Sequence, residues 1–150
     1  MRRPPLVLAA ISGFAISALA LAAIKPDTAV AYRQGVYHAI LWNFVPMNDM
    51  VRGKAPWNQA EFAKRAKRVS FYSRQLLEGF PPGSLTGRSE AKPGIWQHWP
   101  DFESKMQAFE NASAALALTA KGTDEGATRA AFAKTAKTCT SCHDKYRKED

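Results

Sequence analysis

Apolar residues recur along this chain at three- and four-residue spacing, and no stretch alternates with a period of two over strand length. That pattern predicts four helices, each bounded by capping and stop residues. The first runs from near Thr28, with Asp27 as its cap, to about Arg52, and puts Tyr37, Leu41, Phe44 and Val51 on one face. Pro46 lies inside it, removes one backbone hydrogen bond and predicts a kink, and Gly53 is a stop. The second starts at the cap Asn58, has Glu61 three residues on, carries Phe62, Val69, Leu76 and Leu77, and ends at Gly79. The third starts at Pro100 or Asp101, carries Phe102, Met106, Phe109, Leu116 and Leu118, and stops at Gly122. The fourth is capped by Thr123 or Asp124 and brings Phe132, Ala136, Cys139, His143 and Tyr146 on or near one face. Lys145, Arg147 and Lys148 suit its negative end. Phe80 to Ile95, rich in Pro and Gly, is a long loop of the kind that is often functional. The expected fold is all-α, an antiparallel four-helix bundle.

The start of the chain breaks the amphipathic pattern. Leu6 to Ile24 is apolar throughout and follows the charged Met1-Arg2-Arg3. Ala18-Leu19-Ala20 and Ala20-Leu21-Ala22 are small-x-small cleavage patterns, so residues 1–22 read as a signal peptide and 23–150 as the exported, periplasmic domain. The same run, about nineteen residues, is also long enough to serve as an uncleaved membrane anchor. Hydrophobic content of 46% suits a packed core. The net charge of +8 is spread along the chain, with Lys64-Arg65 and Lys67-Arg68 as the one tight basic group. It suggests acidic partners or an anionic membrane surface, or no more than a solvated helix face, and not nucleic acid, for which no recognition motif is visible.

The two cysteines stand close together in Cys139-Thr140-Ser141-Cys142-His143. This is the C-x-x-C-H pattern of covalent haem attachment. Two thiols one helical turn apart suit the two vinyl groups of a haem, and an imidazole is a normal axial ligand for its iron. A redox dithiol would stand at the start of a helix after a strand, and a zinc site would need more ligands than His38 and His98 offer. The expected cofactor is one haem c, held by Cys139 and Cys142 and ligated by His143. No catalytic triad, carboxylate pair or phosphate loop is visible, so an enzyme is not expected.

The motif lies at the end of the chain with no methionine after it, a layout that resembles the class II c-type cytochromes, the cytochrome c′ group. Tyr32-Arg33-Gln34, Arg52-Gly53-Lys54-Ala55-Pro56, Glu90 to Trp96 and Cys139 to Arg147 are similar to the family's motifs, in order. The resemblance implies that Arg33, Gln34 and Glu90 lie at the haem edge, Arg33 near a propionate, and that Arg147 shields the proximal side. It also implies that Tyr37 crowds the distal face and leaves five-coordinate high-spin iron in an apolar pocket. Such a pocket admits small gases, nitric oxide or carbon monoxide, and disfavours water and anions. The alternative is a low-spin electron carrier with a first-helix methionine on the iron, Met47 or Met50 being the candidates. Met47 lies roughly 15 Å further along the helix than Tyr37, so neither is expected to reach. His38 is expected to be exposed or interhelical, and Met106 to fill the core. The resemblance further implies redox partner proteins and a homodimer through the first helix, which Trp42 strengthens or the Pro46 kink abolishes.

Overall fold

Helix α1 spans Pro26–Val51, with Pro26 in its first turn, where a missing N–H leaves nothing unsatisfied. The computed structural model describes residues 24–149, so the signal or anchor segment lies outside the described residues. Lys25, not Asp27, is the N-cap residue, and Asp27 sits inside the first turn, where its charge suits the helix dipole. At the other end, Gly53 adopts φ 70°. Its N–H reaches the Met50 carbonyl at 3.2 Å, and the Lys54 N–H reaches the Asp49 carbonyl at 2.8 Å, the paired bonds of a Schellman stop.

Helix α1 continues through Pro46. The proline withholds the N–H that would pair with the Trp42 carbonyl four residues earlier. A side chain from the next helix supplies the missing donor: Arg65 NH1 bonds the Trp42 carbonyl at 3.0 Å.

Helix α2 spans Gln59–Ser73, and its Asn58 side chain accepts from the Glu61 N–H at 2.9 Å, as the capping pattern predicts. It ends six residues before Gly79. The Ser73 hydroxyl turns back to the Ser70 carbonyl and across to Ser113 at 2.9 Å, so it competes with continuation of the helix. Leu76 therefore packs from a turn, and Leu77–Gly79 forms a single 3-10 turn. The long loop that follows holds one short helix, α3 (Gly94–Gln97). Helix α4 spans Trp99–Thr119 and α5 spans Glu125–Tyr146, the latter capped by Asp124, whose side chain accepts from the Ala127 N–H at 2.8 Å.

Helices α1, α2, α4 and α5 make the bundle. Close backbone packing joins α1 to α2, α2 to α4, and α4 to α5; α1 and α5, which close the ring, do not pack in this way. The core runs through Ile40, Met47, Met50, Phe62, Val69, Phe102, Met106, Leu116 and Phe132. Two residues assigned to the core by periodicity lie outside it. Leu41 is 52% exposed and Leu118 is 65% exposed, because the α1 stripe is carried by Val36, Ile40 and Met47, and the α4 stripe passes through Ser113 and Leu116. No described helix is long and apolar enough to cross a membrane.

The Arg65 contact gives a test by urea unfolding. Arg65→Ala is expected to cost about 1 kcal/mol, because the carbonyl it serves lies at the surface, where water partly replaces it. In a Pro46→Ala background, where α1 regains its own N–H, the same change should cost measurably less.

Candidate functional site

Cys139, Cys142 and His143 sit in the last two turns of α5. Spacing along the helix puts the two thiols one turn apart on one flank. Both thiols are free and half-buried, and the His143 side chain is exposed. Burial is the main cause that raises both thiols, Cys142 to about 11, so neither is an activated thiolate. Burial, with the Arg147 charge second, lowers the His143 imidazole, which favours the neutral, ligating form. These features fit attachment chemistry better than dithiol redox chemistry. Among the described residues, no three His, Cys, Asp or Glu side chains gather to hold a metal ion.

What faces the motif follows from the register of α1 against α5. The helices run antiparallel and touch at one end. Phe44 stacks on Phe132 with ring centroids 4.4 Å apart, and Arg129 donates to the Val51 carbonyl, pairs with Glu125 and covers Trp57. Seven residues back from Phe44 is Tyr37; seven residues on from Phe132 is Cys139. Tyr37 therefore stands at the height of the thiols, where the backbones do not pack. Its ring is half-buried against the core. Burial is the first cause holding its phenol well above the ordinary tyrosine value, and the Cys142 and Cys139 thiols and the Arg33 and Arg147 charges also act on it. Two thiols and an imidazole on α5, with an aromatic ring of α1 at the same height, are a donor set suited to a flat macrocycle attached to α5. Met47 and Met50 are buried beyond the Phe44–Phe132 stack, away from the thiols. His38 is exposed, and Met106 is buried in the core, as the sequence predicts.

The loop after α2 closes this end of the bundle. Arg33, 3% exposed, gives NH1 to the Gly79 carbonyl and the Ser84 hydroxyl, both at 2.9 Å, and NH2 to the Ser84 carbonyl at 2.8 Å and the Ser89 hydroxyl at 2.6 Å. Its guanidinium also lies 4.7 Å from the centre of the Phe80 ring. Beside it, the Gln34 amide donates to the Arg88 carbonyl at 3.1 Å. The far side of the loop is bound to the end of α5. Glu90 pairs with Arg147 at 2.9 Å, the Lys148 N–H reaches the Glu90 carbonyl at 2.8 Å, and the Lys92 N–H reaches the Tyr146 carbonyl at 2.8 Å. Thus Arg33, Gln34 and Glu90 belong to one strap from α1 to α5. Most of the Arg33 hydrogen-bonding capacity goes to that strap, a task the sequence reading did not foresee. It also missed Ser84 and Ser89, whose only signal was their place in a Pro- and Gly-rich loop, and Asp101, which accepts from Tyr146 at 2.5 Å and from Lys145 at 2.9 Å.

An antiparallel helical bundle with a C-x-x-C-H motif at the end of its last helix defines the class II c-type cytochromes. The sequence matches the family described as Cytochrome C' over residues 28–147, and the chain belongs to that family. It is 34% identical to cytochrome c' of Alcaligenes xylosoxydans xylosoxydans, covering 83% of this chain and 97% of that protein. The solved cytochrome c prime from Shewanella frigidimarina superposes with a TM-score of 0.82 at 44% identity, covering 83% and 98% of the two chains. A nitric oxide complex of a leucine-to-isoleucine variant of cytochrome c prime from Alcaligenes xylosoxidans gives 0.77 at 34% identity, covering 83% and 98%. Membership makes this a c-type haem carrier and not an enzyme. Its family is typically periplasmic and is known for five-coordinate haem, uptake of small gases and electron transfer.

Two substitutions test the strap. Arg33→Met strands buried acceptors and is expected to cost about 3 kcal/mol, read by denaturant unfolding. At Gly79 an added Cβ would stand 2.6 Å from Arg33 Cβ, so Gly79→Ala should lower the melting temperature although it is the smallest change possible there.

Proposed function

We propose that this chain is exported to the periplasm, residues 1–22 serving as its signal peptide, and that it carries one haem c bound covalently through Cys139 and Cys142. In this reading His143 is the axial iron ligand, and Tyr37 stands over an open sixth position that takes nitric oxide or carbon monoxide. Gln34, Glu90 and the loop held by Arg33 form the haem edge. When bound, the haem supplies an iron that takes a neutral diatomic ligand or exchanges one electron. The protein's own part is to hold the neutral imidazole in place, keep Tyr37 opposite the thiols and narrow the access of water.

One observation carries this reading: the thiols and imidazole of α5 lie opposite a stretch of α1 whose inward group at that height is Tyr37, while Met47 and Met50 are committed to the core. This favours gas uptake over a methionine-ligated electron carrier. The nitric oxide complex of a related cytochrome supports the same ligand class. Redox proteins with acidic surfaces are the proposed partners, given the excess of basic residues. For self-association, the proposed face is the exposed α1 stripe of Leu41, Trp42 and Val45. It lines a shallow apolar groove with His38 and Pro46.

Optical spectra of holoprotein from a host able to attach haem test the central claim. The expected result is a high-spin ferric spectrum, a ferrous carbon monoxide adduct, and a mass gain of one porphyrin that is lost in Cys139→Ala/Cys142→Ala. A low-spin ferric spectrum with a sulfur-to-iron charge-transfer band would refute the open position. The intact mass of the same sample also reports whether residues 1–22 are removed. Sedimentation should give a dimer for the parent protein and a monomer for Trp42→Glu; a monomeric parent rules the dimer out.

A further inference from the structure

The tight basic group of the sequence falls on the outer face of α2, a surface that the haem reading does not use. Lys64, Lys67, Arg68, Phe71 and Arg74 are all exposed. At about 100° of turn per residue they share an arc of about 120°, with Phe71 at its middle. Phe62, Ala66, Val69 and Ser73 are buried on the opposite side of the helix. Phe71 is 54% exposed, and its ring meets Tyr72 edge-on with centroids 5.4 Å apart. Glu61 is the single acidic residue of α2, and Lys64 and Arg65 share it at 3.4 Å and 2.9 Å. Lys67, Arg68 and Arg74 make no ion pair with the described residues. Close backbone packing joins α2 to α1 and α4, while α5 packs on α4, so α2 stands across the ring from the C-x-x-C-H motif.

We infer that the outer face of α2 docks this protein on a membrane surface of anionic phospholipid, with Lys64, Lys67, Arg68 and Arg74 meeting lipid phosphates and Phe71 entering the headgroup layer. Charge complementarity supplies the attraction, since cationic side chains gather on this face and its one carboxylate is already shared. Shape favours lipid over a folded acidic protein. The face is the convex side of a helix, where long basic side chains lie outward and keep their charges among phosphates while a ring between them sinks. Placement favours it too. Electron exchange through a protein docked here would have to cross the bundle to reach α5, whereas a lipid contact leaves the motif facing solution. Two copies meeting on this face would set like charges against each other, so it does not serve self-association. The inference does not rest on the haem reading, and its failure would leave that reading untouched.

Vesicle flotation of the holoprotein at low salt tests it, with vesicles of phosphatidylcholine alone and of phosphatidylcholine and phosphatidylglycerol in equal parts. The parent is expected to float with the anionic vesicles and not with the neutral ones, and salt should release it. Lys67→Glu/Arg68→Glu should weaken binding more than about tenfold, because two attractions become two repulsions. Phe71→Ser should weaken it about fivefold, the size of sinking part of a ring, and keep the salt dependence of the parent. Lys134→Glu/Lys137→Glu on α5 makes the same change in net charge at exposed sites across the bundle and should leave most of the binding in place. An equal loss in the α2 and α5 variants would reduce the effect to net charge and overturn the inference. Equal binding to neutral and anionic vesicles would overturn it, as would no binding to either. Binding to polyglutamate with none to vesicles would assign the face to an acidic protein instead and overturn it likewise.

Discussion

A single buried guanidinium holds the functional end of this bundle together. Helices α1 and α5 close the ring of four without close backbone packing, and their side chains meet where Phe44 stacks on Phe132. At the other end Arg33 takes over. It spends four hydrogen bonds and a ring contact on the loop between Gly79 and Ser89, and that loop is bonded to the tail of α5. Burying a charge is costly unless its donors are met, and here the loop meets the four N–H groups of the two terminal nitrogens. Gly79 belongs to the same device, because the turn passes so close to Arg33 that a methyl group has no room.

This arrangement separates two demands that conflict in an ordinary bundle. Helices that pack fully leave no room between them, and helices that do not pack leave a domain that frays. The aromatic contact at one end and the strap at the other link α1 and α5 although their backbones are not closely packed. A second aromatic line supports the strap from below. Phe80 meets Phe102 at 4.9 Å, and Phe102 meets Tyr146 at 5.3 Å, three residues from His143. The loop, α4 and the end of α5 are thereby coupled, so the orientation of the proposed ligand depends on packing that contains no ligand.

The same logic explains how α1 tolerates Pro46. A proline in mid-helix leaves a carbonyl without a donor, and the expectation from sequence is a kink. Arg65 of α2 fills the vacancy at Trp42 and stitches the two helices in doing so. The proline thus leaves α1 dependent on its neighbour. It also lies beside the exposed apolar stripe of Leu41, Trp42 and Val45.

The sequence by itself determined the helical content, the Asn58 cap, a cap at Thr123 or Asp124, the stop at Gly53, and the C-x-x-C-H spacing on which the proposed haem attachment rests. All of these are local: caps and periodicity act over one or two turns, and C-x-x-C-H fits within five residues. It misplaced Leu41 and Leu118 and ran α2 on to Gly79, because a stripe of apolar residues does not reveal which neighbour it meets, and Ser73 reads as helix until Ser113 is brought beside it. Only the tertiary structure decided that Arg33, Gln34 and Glu90 share one strap and that Met47 and Met50 lie in the core. Each of these depends on contacts between residues far apart in the chain, and no local spacing specifies a register between α1 and α5. That register came from where Phe44 and Phe132 stack, and it is what sets Tyr37 against the thiols.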